Sequence, residues 1–137
     1  MSARSKSRKR ALDILYGADV RGVPIATLLA EESERAAAQP QRESSWGYAR
    51  AIVEGVDTHL LELDAIIELH AEGWTLARMP VLDRAIARLG AWEILYNDEV
   101  PDGVAIAEAV ESATTLSTED SGSFINGLLG AIARECA

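Results

Sequence analysis

The chain has 137 residues, 48% of them apolar, which suits one compact domain with a real core. Its only cysteine, Cys136, sits one residue from the end, and this excludes a disulfide framework and a cysteine-based zinc site. No apolar run approaches the roughly 18 residues of a membrane span, and no apolar stretch follows the charged N-terminus, so the chain reads as a cytosolic protein without a signal peptide.

The net charge of −9 is unevenly placed. Residues 1–10 hold Arg4, Lys6, Arg8, Lys9 and Arg10 and no acid, while the rest of the chain holds eight basic and 22 acidic side chains. An acidic body repels nucleic acid in general, but a short basic arm can grip a phosphate backbone locally. The plainer alternative is a solubilising tail.

Ala11, Leu12, Leu15, Tyr16 and Asp19 recur at helical spacing, with Ser5 or Ser7 able to cap the start and Arg21-Gly22 ending the helix. Arg8, Lys9 and Arg10 then lie at or near the helix start, where positive charge opposes the macrodipole; an anionic partner would offset that cost. Pro24 fits a first helical position, and Ile25, Leu28 and Leu29 carry a second helix to about Ala37. Residues 38–44 form a polar loop around Pro40. Ser44 or Ser45 opens a long helix with the stripe Trp46, Ala49, Val53, Val56, Leu60, Leu63 and Ile67.

Gly73 breaks the pattern, and Thr75 can cap a short turn. Pro80 starts the next helix, with Leu82, Ala85, Ile86, Leu89, Trp92 and Tyr96 on one side. The other side shows Asp83, Ala87, Gly90 and Ile94, whose small members admit another segment. Asn97 to Glu99 end it. Pro101 begins a further helix, with Ile106, Ala109, Val110, Ala113 and Leu116 inward and residues 117–120 as a capping loop.

The stretch EDSGSFINGLLG, residues 119–130, holds the hairpin signal Asn126-Gly127. Phe124, Leu128, Leu129 and Ile132 nevertheless fall at helical spacing, and no convincing alternating strand exists elsewhere as a partner. The segment is therefore expected to be helical, capped by Asp120 or Ser121, with Gly127 and Gly130 leaving space at a crossing. The fold class is all-α, with six or seven helices.

Catalytic chemistry finds little support. Neither His59 nor His70 has Glu three residues before it, so the inward Glu-x-x-His pairs of a di-metal bundle are missing. No Gly-x-Ser-x-Gly elbow and no phosphate-binding glycine loop appears. The acidic clusters read as solvated helix faces, and no cofactor or metal is called for. Phe124 is the sole phenylalanine; periodicity favours a core anchor, and the functional alternative is a surface for an unstacked base.

Four segments together resemble the NusB family of bacterial transcription factors: RKRALDILYGAD (8–19), VLDRAIARLGAWEIL (81–95), VPDGVAIAEAV (100–110) and EDSGSFINGLLG. The likeness runs in order over most of the chain. It implies a single domain with a NusB-like fold of two three-helix bundles, the halves meeting near residues 73 and 74. It further implies a non-enzymatic factor that binds boxA-type single-stranded RNA with NusE, a ribosomal protein, and acts with the transcription elongation complex in antitermination across ribosomal RNA operons. A homodimer stays open. By position, RNA contacts fall on the basic arm (Arg4, Lys6, Arg8, Lys9 and Arg10, above all Arg8) and on Asp120 and Phe124, and the partner surface falls on Tyr16 and Asp83. Asp83 lies off its helix's apolar stripe, where Arg84 and Arg88 are near enough to hold it. Ala107, Thr114 and Ser123 stand where the family often has Asn, Lys and Lys. Two lysines fewer near an RNA face shift more of the affinity onto the arm or the partner. The alternatives are an accessory module of a ribosomal RNA methyltransferase, disfavoured by the absence of a nucleotide-binding segment, and a protein-binding helical scaffold.

Overall fold

Helical periodicity governs every long regular segment. A computed structural model describes residues 2–40 and 43–136, and among them no strand occurs. The helices are α1 (Ala3–Arg21), α2 (Ile25–Ala37), α3 (Glu43–Thr58), α4 (Leu60–His70), α5 (Val81–Tyr96), α6 (Asp102–Leu116) and α7 (Ser121–Cys136), with a 3₁₀ turn at Leu76–Arg78 between α4 and α5. Residues 41 and 42, inside the expected loop 38–44, lie outside the described residues.

Local chemistry sets the boundaries. Ser2, not Ser5 or Ser7, caps α1: its side chain accepts from the Ser5 backbone N–H. The Ser7 hydroxyl instead donates back to the Ala3 carbonyl, 2.9 Å away. The helix thus starts earlier than expected, and the basic arm is the start of α1 itself. Arg8, Lys9 and Arg10 sit beyond the first turn, so the macrodipole cost falls on Arg4 and not on them. Gly22, at φ 67°, closes α1 in the left-handed conformation that glycine adopts without a Cβ clash. Pro24, Pro80 and Pro101 stand just before α2, α5 and α6, where a missing N–H costs nothing.

The chain divides into two compact units, Met1–Thr58 and His59–Ala137. The long helix expected from Ser44 or Ser45 is therefore two helices, separated at His59. The boundary falls at residue 58 rather than about 73, because α4 packs on α5 and α7. The units hold three and four helices, not three each.

In the first unit α1 packs on α2 and α3, and Ala11, Leu12, Leu15, Leu28, Ala49, Ile52 and Val53 are buried. In the second, α5 contacts α4, α6 and α7, which explains why both of its sides are occupied. Ala87 and Gly90 are buried, and a Cβ on Gly90 would stand 2.5 Å from Leu129 Cδ1. The segment that these small residues admit is the chain's own α7. Ala105, Ala109 and Ala113 form the buried side of α6, while Leu116, expected inward, is exposed. Gly127 meets nothing within 4 Å; the close crossing lies at Gly122, where a Cβ would meet Thr114 Oγ1 at 2.6 Å.

Candidate functional site

The two units differ in charge before any site is drawn. Met1–Thr58 holds nine basic and eight acidic residues, net +1, and His59–Ala137 holds four basic and 14 acidic, net −10.

At the start of α1 the cations meet aromatic rings of α3. The Arg4 guanidinium lies 4.1 Å from the Tyr48 ring centroid and that of Arg8 5.8 Å from it. The Arg10 guanidinium lies 5.0 Å from the Trp46 ring centroid, and its Nη1 donates to Ser45 Oγ at 2.9 Å. Lys9 pairs with Asp13 at 2.7 Å, an exposed pair that stabilises little. Arg4, Lys6 and Lys9 are exposed, whereas Arg8 is only 7% exposed. The side chain expected to lead the phosphate contacts is thus largely inside. The solvent-facing charge belongs to Arg4, Lys6 and Lys9.

Tyr16, on the same helix, is 41% exposed, and Val20 one turn on is exposed too. This face offers a flat ring with a polar tip and an apolar neighbour, a combination that suits a protein interface.

In the second unit Asp83, Asp120 and Phe124 gather around one cleft of about 290 Å³, completed by Trp74, Met79, Pro80, Thr118 and Ser121. Asp83 is not an open carboxylate at a partner surface: it is 3% exposed. Ser117 Oγ donates to its Oδ1, and Ser121 Oγ lies 2.9 Å from both carboxylate oxygens. Thr118 N–H donates to Ser121 Oγ, so Asp83 ties loop 117–120 and the first turn of α7 to the first turn of α5. Arg88 and Arg84 reach partners on other elements. Arg88 makes a two-pronged bond to Asp64 at 2.8 and 3.0 Å, and Arg84 donates to the Leu76 carbonyl at 2.9 Å.

Asp120 is exposed at the cleft edge. Phe124 is half-buried, not a core anchor, and its ring meets Trp74 edge-on at 6.3 Å and 62°. Sequence reasoning passed over Trp74. The available signal was a large aromatic directly after Gly73, inside a break between helices. His70 Nε2 lies 2.7 Å from Glu135 Oε2 and its Nδ1 2.9 Å from the Ile66 carbonyl, joining the ends of α4 and α7. Nearby groups do not turn this pair into a metal site: among the described residues no three His, Cys, Asp or Glu side chains cluster around a common point. A hydrogen bond to Glu62 raises the pKa of Tyr96 above the ordinary tyrosine value.

Comparison with known proteins adds the following. The NusB family model matches residues 5–134. The transcription antitermination protein NusB of Leifsonia xyli subsp. xyli is 63% identical over 134 residues, which cover 98% of this chain and 93% of that protein. A solved T. maritima NusB superposes with a TM-score of 0.84 at 30% identity, covering 98% of this chain and 93% of that one. A crystal structure of the antitermination factors NusB and NusE in complex with double-stranded RNA matches with a TM-score of 0.83 at 28% identity, covering 98% of each chain.

Proposed function

The chain belongs to the NusB family, and on that footing we propose that it is a transcription antitermination factor that binds boxA-type RNA together with NusE and supports transcription of ribosomal RNA. The observation that carries the reading is the high identity, over nearly the whole of both chains, to a transcription antitermination protein. A NusB of the same fold has been crystallised with NusE and double-stranded RNA, which supports both partners here. The factor works by binding and not by catalysis. It acts in the cytoplasm on RNA emerging from the elongation complex.

The division of labour follows from charge. Arg4, Lys6 and Lys9 at the exposed start of α1 attract RNA phosphates. Tyr16 is the side chain offered to NusE. Asp83 acts within the second unit, by fixing loop 117–120. An acidic second unit favours a basic protein partner through complementarity.

The test is a titration of labelled boxA-type RNA with the protein alone and with NusE added. The expected result is salt-sensitive binding that NusE tightens. No binding in either case would overturn the reading.

A further inference from the structure

The cations at the start of α1 are of two kinds, and the structure separates them. Eleven of the chain's 13 basic side chains are arginines, and its two lysines, Lys6 and Lys9, both lie in this one stretch. The arginines here are engaged with α3. Arg4 and Arg8 lie over the Tyr48 ring, and Arg10 lies over Trp46 with a hydrogen bond to Ser45. A planar guanidinium suits a ring face. Both lysines are exposed instead. Lys9 Nζ meets the exposed Asp13 at 2.7 Å, and among the described residues the Lys6 ammonium has no ion-pair partner.

Lys6 and Lys9 stand three residues apart on α1, which puts their Cβ atoms roughly 5–6 Å apart on one helix face. One ammonium of such a pair can hold a small dianion while the other amine, once neutral, reaches its electrophilic carbon. Arginine offers no such nucleophile, because its guanidinium stays protonated. Any acylation of a side-chain amine in this chain therefore falls at residues 6 and 9. Ser2 caps α1 and arginines make the ring contacts, so the helix does not depend on the lysine charges. The exposed Lys9–Asp13 pair stabilises little.

We propose that Lys6 and Lys9 are a paired acylation site for an acyl phosphate, and that acylation releases the grip of α1 on RNA. The charge that draws RNA phosphates draws the phosphate end of the reagent too. The Nζ lone pair attacks the carbonyl carbon and an N–C bond forms. The carbon–oxygen bond to the phosphate breaks, phosphate leaves with the electron pair, and the amine proton goes to water. Each amide removes one positive charge. Three exposed cations against the Asp13 carboxylate become one, and Asp13, without its partner, repels phosphate. This switch rests on the RNA-binding reading above and adds a means of regulating it.

The experiment treats the protein with acetyl phosphate, locates the added groups by peptide mass spectrometry, and titrates labelled boxA-type RNA with untreated NusE present. The treated wild-type protein carries acetyl groups on Lys6 and Lys9, keeps its circular dichroism, and loses roughly tenfold or more in RNA affinity at moderate salt. The Lys6→Arg, Lys9→Arg double variant has charge but no side-chain amine, so its affinity is the same before and after treatment. Lysines left unmodified overturn the assignment. So does treated wild-type protein that binds RNA as the untreated protein does, or a double variant that loses as much on treatment as the wild type. In these cases binding by the untreated protein leaves the RNA reading standing. Failure of the untreated wild-type protein to bind RNA overturns that reading and the switch with it.

Discussion

The two units handle aromatic rings in opposite ways. In Met1–Thr58, Tyr48 and Trp46 lie under the guanidinium groups of α1, so rings help to order cations. In His59–Ala137, Trp74 and Phe124 border an open cleft with carboxylates around it. Charge follows the same division, at +1 against −10. The contrast shows how an acidic chain can serve a polyanion. Attraction to phosphate needs a few exposed cations, and these sit in one unit, apart from most of the acid. The two units can be broken separately.

The largest effect is expected where the second unit loses its internal tie. Asp83→Lys changes the charge at a 3% exposed position by two units and removes the acceptor of Ser117 and Ser121. It should destabilise the protein by about 3 kcal/mol or more, read by thermal unfolding. Asp83→Asn keeps an acceptor and should lose clearly less. An unchanged midpoint in Asp83→Lys would mean that the carboxylate does not hold loop 117–120.

Next comes the partner face of the first unit. Tyr16→Asp should weaken NusE binding by at least about 2 kcal/mol in calorimetric titration. Because Tyr16 is 41% exposed, the melting midpoint should barely move. Wild-type affinity would place the NusE surface elsewhere. The smallest energetic effect belongs to Asp120→Asn. Asn caps a helix about as well as Asp, so stability should hold. Losing an exposed negative charge should leave RNA affinity equal or tighter, by less than about 1 kcal/mol. Clearly weaker binding would give that carboxylate a direct role in holding the RNA.

Much of this division was legible in the sequence. The helical spacing of Phe124 to Ile132 outweighed the Asn126-Gly127 hairpin signal, because a hairpin needs strand partners that the sequence does not offer. The grouping of Asp120 and Phe124 near the start of α7 was equally accessible. Three features were hidden, each for a physical reason. A break of one residue at His59 leaves the spacing of apolar positions intact, so periodicity runs straight through it. Asp83 looked like a surface carboxylate because its acceptor role depends on Ser117 and Ser121, more than 30 residues away in sequence. Arg8 is buried although its neighbours Lys6 and Lys9 are exposed, a difference set by packing that a run of five cations does not reveal.

The central claim is that phosphate is gripped by the exposed cations of α1. Its most direct test is the salt dependence of RNA binding in a Lys6→Gln, Lys9→Gln double variant. Gln is a good helix former, so α1 should persist. The slope of log K against log salt should become shallower by about 0.7 for each lost single-strand contact. A slope equal to that of the wild-type protein would contradict the claim.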